Sequence, residues 1–522
     1  MKRLSLVLAA SLLTGSTSFA QDMDVSRIGD SFNNYGVSGG IRAYSFSTTS
    51  CNVGNVPCIW NDSINEAPVI AQNMFRMHEG RFEQLGYSFL KEGFCAVNEN
   101  SCGTCQATNC DTLGVGCADT YGAGLNDGRN GATKSLINAN TGAKPTNLTG
   151  PSQGNSTIRG RLQVRQDELA LPGASYFIES QYVTTDDQLV GNHRNNASWR
   201  RVNVSPGNYG VSASGATMRG NPAIYAWAAS DPDVQVVEFT NEDEGGAGVH
   251  GFFFVASKVT DLGNGEYRYE YAVQNLTSDV SANSFSISLP CGPVTATDLF
   301  FRDVDSHSGD PYDPTDWTFS QTGSELTWTG GDFSADPNSN ALRWGTLYNF
   351  GFTADAAPVM GDASLGLFKA SGSITEQITV PGTGFETYCT ANTNSTGAAA
   401  DMLPTGSATI SANDINFTIT QLPFNSSGYV IMAQGQQQIP LTGSSQGNLC
   451  VGGGANTIYR FSLSVLNSGF LGFVNFSPDL TNLPSGLVVM PGETWNFQYW
   501  FRDANPNVTS NTSNATSVTF CN

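Results

Sequence analysis

Charge is scarce in this chain: Asp, Glu, Lys and Arg make up 13% of its 522 residues, about half the roughly 25% of an ordinary soluble protein. What charge there is runs one way, 45 acidic against 24 basic residues for a net of −21. Nucleic acid is bound by Lys and Arg that displace counterions from phosphates, and anionic lipid attracts the same residues, so the balance argues against both partners. Lysine vanishes altogether after Lys369. Histidine is limited to His78, His193, His250 and His307, which leaves imidazole chemistry few places to stand. Beyond the first twenty residues no apolar run approaches the length of a membrane helix, and no integral span is expected. The sequence also lacks Gly-x-Ser-x-Gly, His-Glu-x-x-His and any phosphate-cradling glycine loop, the marks of common hydrolases, zinc proteases and nucleotide sites. Carboxylate pairs of the glycosidase kind can be drawn from Glu179, Glu238 or Glu242, but almost any chain supplies such pairs.

What is present begins with an address. Met1, Lys2 and Arg3 are followed by an apolar run and then Ser18-Phe19-Ala20 before Gln21, the pattern of a signal peptide over residues 1–20. The expected location is therefore secreted, extracellular or cell-surface. Eleven cysteines in an exported chain read as a disulfide framework. The candidates are Cys51, Cys58, Cys95, Cys102, Cys105, Cys110, Cys117, Cys291, Cys389 and Cys450, and the odd one out is expected to be Cys521, beside the end of the sequence. Five of them crowd into residues 94–131, a glycine-rich stretch too poor in aliphatic residues to build its own core. Cys102-x-x-Cys105 invites zinc, but one close pair followed by wide gaps does not make the two pairs that structural zinc prefers; a disulfide knot is the leading reading. Sequence alone does not choose the pairing.

The periodicity is mostly that of strands. Residues 251–259 and 266–274, joined through Asn264-Gly265, form the clearest hairpin, and short alternating runs punctuated by Gly, Pro and Asn continue to the end. Helical spacing is expected in one place: Phe82, Leu85, Phe89 and Leu90 over residues 81–91, with Gly93 as a stop and an earlier helical turn at 69–77. The fold class is mostly β, with tandem β-sandwich-like domains and a disulfide-rich, partly helical N-terminal region. The divisions are 21–160 (Cys-rich, with short helices), 161–385 (a central sandwich that can form one domain with 21–160) and 386–522 (a C-terminal sandwich module).

Two constellations bear on chemistry. The run RDVDSHSGDPYDPTDW is the densest acidic loop, and Asp303, Asp305, His307 and Asp310 are candidate calcium ligands. Its opening spacing is that of an EF-hand loop, but Gly309 falls one place late and Pro314 stands where a bidentate Glu is needed. Convergence of His193, His250 and His307 would make a metal-dependent secreted enzyme. Exposed Tyr267, Tyr269 and Trp500 would make a carbohydrate-binding protein, against the alternative that these rings pack between sheets.

The segments PVIAQNMFRMHEGRFEQLG, SCGTCQATNCDTLGVGCADTYGAGLNDG, HGFFFVASKVTDLGNGEYRYEYAVQNL, FRDVDSHSGDPYDPTDW and RWGTLYNFGF together resemble a large group of secreted bacterial proteins of unknown function. The terminal NLCVGGGANTIYRF and PGETWNFQYWFRDANP are similar to a C-terminal β-module carried by varied secreted proteins. The resemblance implies a secreted, surface-associated protein and brings no catalytic residue or ligand with it. The leading expectation is a non-enzymatic structural or interaction role, with calcium as a stabilising ion and an extracellular protein or polysaccharide as partner.

Overall fold

In strand Gly251–Asp261 successive side chains belong to two different cores: Phe253 and Val255 to one, Phe252, Phe254 and Ala256 to the other. Strand Ser175–Val183 is divided in the same way, Tyr176 and Ile178 facing one core and Phe177 the next. Sheets that bury both faces must be stacked, and this is how most of the chain is built. The structure is a computed structural model and describes residues 20–521 except 65, 130, 146, 147, 149, 151–153, 264, 290, 292, 293, 383, 407, 453–456, 492 and 506. Apart from Ala20, the expected signal peptide lies outside the described residues, as does Asn264 of the expected hairpin turn.

Four sheets form successive layers. The first holds Met23–Ser38, Ile41–Asn52 and Ala118–Tyr121, with Leu162–Arg165 beside the second of these. The next runs Val211–Met218, Ala197–Val204, Ser175–Val183, Val69–His78, Arg81–Tyr87. The third runs Gln235–Asn241, Gly251–Asp261, Tyr267–Asn275, Thr346–Ala354, Ala296–Arg302. The outermost runs Thr318–Gln321, Glu325–Thr329, Ala282–Ser288, Pro358–Leu367, Ser373–Pro381. The ladder between Val69–His78 and Ser175–Val183 joins residues from both sides of position 160 in one sheet. After Pro381 a separate core forms between the sheet Phe385–Tyr388, Thr509–Thr519, Thr494–Asp503, Ser427–Ala433, Tyr459–Arg460 and the three strands Asp401–Thr405, Asn416–Thr420 and Val474–Phe476.

The expected helices are not formed. Residues 81–91 contain the strand Arg81–Tyr87, and residues 69–77 lie in the strand Val69–His78, its antiparallel partner. Both strands are buried on two faces, which removes the polar positions that make a strand's period of two visible and lets an accidental spacing of three and four stand out. Before residue 160 the described helical residues are two 3₁₀ turns, Asp62–Ile64 and Lys134–Leu136. The clear hairpin is formed as read: Gly251–Asp261 pairs with Tyr267–Asn275.

Ten cysteines are joined, Cys51 to Cys102, Cys95 to Cys110, Cys105 to Cys117, Cys291 to Cys521 and Cys389 to Cys450. Three of the bridges tie the Cys-rich stretch to itself and to strand Ile41–Asn52, in place of the zinc alternative. The odd cysteine is Cys58 and not Cys521. Cys58 sits in the short ladder with Thr112–Leu113, fully buried in the first core beside Trp60 and Leu113. Burial pushes its thiol well up, and neighbouring Asp186 and Asp187 push it further, so it is held as an unreactive thiol.

Candidate functional site

The acidic loop begins where strand Ala296–Arg302 ends and returns to the body at Trp317. One residue fastens both ends. Buried Asn340 donates through Nδ2 to Asp303 Oδ2 and, at 3.0 Å, to Thr315 O; its carbonyl O accepts from Trp317 Nε1 at 3.0 Å; its Oδ1 accepts from Tyr348 Oη at 2.7 Å. Trp317 in turn stacks on Phe301, centroids 5.8 Å apart, in the aromatic core below. The loop therefore stands over the sheet edge as a fixed arch.

Beneath it lies a cavity of about 420 Å³, within the size range of small-molecule sites. It is lined by Asp303, Asp305 and Asp316 of the loop, by Arg343 and by the Asp279–Lys369 pair, 3.1 Å apart. Arg343 lies flat 3.8 Å above the Tyr312 ring and donates through Nη2 to Pro337 O and Ser339 O at 2.9 and 3.0 Å. Tyr87, Trp344 and Lys134 line it as well, and Lys134 Nζ is 4.6 Å from the Tyr87 centroid and 5.3 Å from that of Trp344. Phe333 stands exposed at the mouth. The cavity thus offers aromatic rings, carboxylates and a guanidinium stacked on Tyr312, a setting for a small polar molecule that is held by stacking and by charge of both signs.

Burial sets the protonation of these groups. Asp303 is pushed up to about 6 by burial, against the bond from Asn340 and with a further push from Asp316 and Asp305. Asp310 is likewise raised to about 6 by burial. Because the folded-state value of Asp303 lies above that of the unfolded chain, its cost is absent below about pH 3, where the carboxyl is neutral in both states, and grows as pH rises toward and through 6. Asp303→Asn keeps an acceptor for Asn340 and removes the charge. It is expected to match the parent in urea denaturation at about pH 3 and to exceed it by about 2 kcal/mol at about pH 8; equal stability at both pH values would mean that this carboxyl is not buried.

The candidate calcium ligands are not brought to a common point. Asp303 is engaged by Asn340, Asp305 is exposed at the cavity wall, and Asp310 Oδ2 accepts from Tyr87 Oη at 2.8 Å. His307 is buried against Phe89, with Nε2 2.8 Å from Arg161 O and Nδ1 3.1 Å from Ser308 O. Among the described residues no three His, Cys, Asp or Glu side chains stand close enough to hold a metal. His193 and His250 do meet, Nε2 of the first lying 2.7 Å from the carbonyl O of the second, but His307 shares no partner with them, so the three-histidine centre is not assembled. Glu238 pairs with Arg194 at 2.7 Å, Glu242 is exposed and Glu179 is fully buried. Tyr269 packs in the core, Tyr267 is half-buried against that core and Trp500 is half-buried against Tyr429, so the exposed aromatic row of a polysaccharide-binding face is not formed there.

The walls of the cavity come from residues near 87, 134, 279, 303–316, 333–348 and 369. Of these only the acidic loop carried a chemical signal in the sequence; the 333–348 stretch supplies several lining residues and the other stretches one or two each.

No protein-family model matches the chain, and no curated protein does. Among solved structures, the crystal structure of the major pilin subunit of Bacillus cereus aligns over 71% of this chain and 84% of its own, with 10% identity and a TM-score of 0.17. A superposition of that quality is shared by unrelated β-rich proteins, and neither fold nor function follows from it. Among the described residues no helix is long and apolar enough to cross a membrane.

Proposed function

We propose that this is an exported or surface-held protein that binds rather than transforms its partner, and that the cavity beneath the acidic arch is its contact site. The observation that carries the reading is the construction of that cavity: its walls are pinned by Asn340 and by the stacked Arg343–Tyr312 pair, on a β-layered body held by five disulfides. Such preformed sites bind without first ordering a loop, which spares affinity. Disulfides at this density belong to oxidising compartments, which supports location outside the cytoplasm. The partner is a small polar molecule, or the end of a polymer, that presents a flat apolar face between groups able to meet a carboxylate and a guanidinium.

The test is a melting-temperature screen of the mature protein against saccharides, amino acids and short peptides of either charge. At least one class is expected to raise the melting temperature, and Tyr312→Ala and Arg343→Ala to abolish the rise while leaving the fold intact by circular dichroism. A screen in which no class shifts the parent, or in which both variants respond as the parent does, would sink the reading.

A further inference from the structure

Between the second and third layers, away from solvent, an amine, a carboxamide and a carboxyl stand in line. Lys134 Nζ donates to Asn73 Oδ1 at 3.2 Å, and Asn73 Nδ2 donates to Glu179 Oε1 at 2.7 Å. All three side chains are buried, Asn73 and Glu179 completely. Each is held from behind. Lys134 Nζ has Gly345 O as a second acceptor at 2.9 Å, and Glu179 Oε2 accepts from Ala223 N at 2.5 Å and Gln274 Nε2 at 2.8 Å. Gly345 is where the amine could not otherwise approach: it has φ +68°, and a Cβ there would lie 2.6 Å from Lys134 Nζ. A plain buried ion pair would place the ammonium on the carboxylate. Here a carboxamide is interposed, its carbonyl turned to the amine and its nitrogen to the acid.

We propose that Lys134 and Asn73 become covalently joined, the lysine amine displacing the asparagine side-chain nitrogen as ammonia with Glu179 moving the proton. The lone pair of Nζ adds to Asn73 Cγ, a C–N bond forms, and the carbonyl electrons shift to Oδ1. The added nitrogen gives up one proton, which Glu179 passes to Nδ2; the carbonyl re-forms, the Cγ–Nδ2 bond breaks, and ammonia leaves toward the adjoining cavity, which Lys134 lines. One amine and one carboxamide become one secondary amide and one ammonia, with no oxidant, reductant or further reactant. Glu179 touches the leaving nitrogen and is the catalytic residue of the step. The N–H of the new amide keeps Gly345 O as its acceptor.

The setting supplies what the step needs. Attack requires a neutral amine, and burial draws Lys134 down to about 7, with Glu179 the largest opposing influence. Proton delivery requires a carboxyl that holds its proton, and burial raises Glu179 above the ordinary carboxylate range. Proximity does the rest, since the amine and the carboxamide are hydrogen-bonded to one another in a buried position. The product would fasten the 3₁₀ turn Lys134–Leu136 to strand Val69–His78, across 61 positions of sequence. The proposal is independent of what the cavity binds.

The experiment is a peptide map of the reduced, denatured mature protein with its intact mass. The parent is expected to weigh one ammonia less than its sequence and to yield a branched peptide that contains both Lys134 and Asn73, with no tryptic cleavage at Lys134. Cyclisation of an N-terminal Gln21 loses the same mass, so the fragmentation spectrum of the branched peptide decides. Glu179→Gln and Lys134→Arg should each reduce the branched peptide from nearly complete to nearly nil, and Asn73→Asp should replace the loss of ammonia by a loss of water. Separate linear peptides bearing Lys134 and Asn73 from the folded parent would overturn the proposal whether or not any variant folds.

Discussion

Truncating Phe350 to alanine is expected to cost about 3–5 kcal/mol of stability, the range for removing a fully buried aromatic ring whose space is not refilled. Phe350 is completely buried between the third and fourth layers. Its ring centroid lies 4.8 Å from that of Phe285, 5.4 Å from Trp328, 5.5 Å from Phe301 and 5.6 Å from Trp317. Four large rings around one site cannot collapse into the void together, which places the cost toward the upper end. The effect also reaches the cavity, because Phe301 immediately precedes the acidic arch and Trp317 terminates it. Denaturant unfolding measures the first consequence, and loss of the ligand-induced rise in melting temperature measures the second. Phe350→Leu, which keeps most of the volume, should cost under half as much. Equal losses for the two variants would show that packing around this ring is not what holds the arch.

The second large effect is expected from Cys291→Ser with Cys521→Ser. This bridge spans 230 positions, and closing so long a loop removes more entropy from the unfolded chain than the shorter bridges do, about 5 kcal/mol on a chain-entropy estimate. Cys521 belongs to the last core, and Cys291 packs against that core from the end of the fourth-layer strand Ala282–Ser288. The double variant is expected to unfold in two separate calorimetric steps, the lower one belonging to the C-terminal module. Either single variant should be as destabilised as the pair, because each breaks the same bond. A parent-like single transition in the double variant would mean that the bridge contributes nothing to coupling the two parts.

Strands with one polar face were legible in the sequence, and those without one were not. Tyr267, Tyr269 and Tyr271 alternate with charged residues, and the strand Tyr267–Asn275 is where that alternation places it; its inner rings pack in the core as the packing alternative requires. Val69–His78 and Arg81–Tyr87 lie between two cores, so Gln72, Asn73, Arg76 and Gln84 are buried beside Ile70, Phe75 and Phe82, and the polar residues no longer mark a surface. Strand Thr509–Thr519 has the opposite disguise. Written TSNTSNATSVT, it looks like a polar linker, yet it runs buried between Phe385–Tyr388 and Thr494–Asp503. Its hydroxyls and amides are satisfied inside, as where Ser517 Oγ donates to Asn496 Oδ1 at 2.6 Å.

The same limit applies to the site. The cysteines announced their chemistry through composition but not their partners, because partner choice depends on which strands lie side by side. The acidic arch announced itself by density of carboxylates, but its use of them, one to Asn340 and one to Tyr87, depends on residues up to 223 positions away. Lys134, Asn73 and Glu179 carry no local signal that joins them. They lie in three separate stretches of sequence, and only the folding of the layers makes them neighbours.

The bond between Cys291 and Cys521 also decides where mechanical load travels. Tension applied between the first layer and Cys521 enters the body at Cys291 through the covalent bridge. The chain between the two cysteines, which are 230 positions apart, then forms a side loop off the covalent path of that load. A single protease cut within that loop leaves the two fragments attached to one another through the bridge.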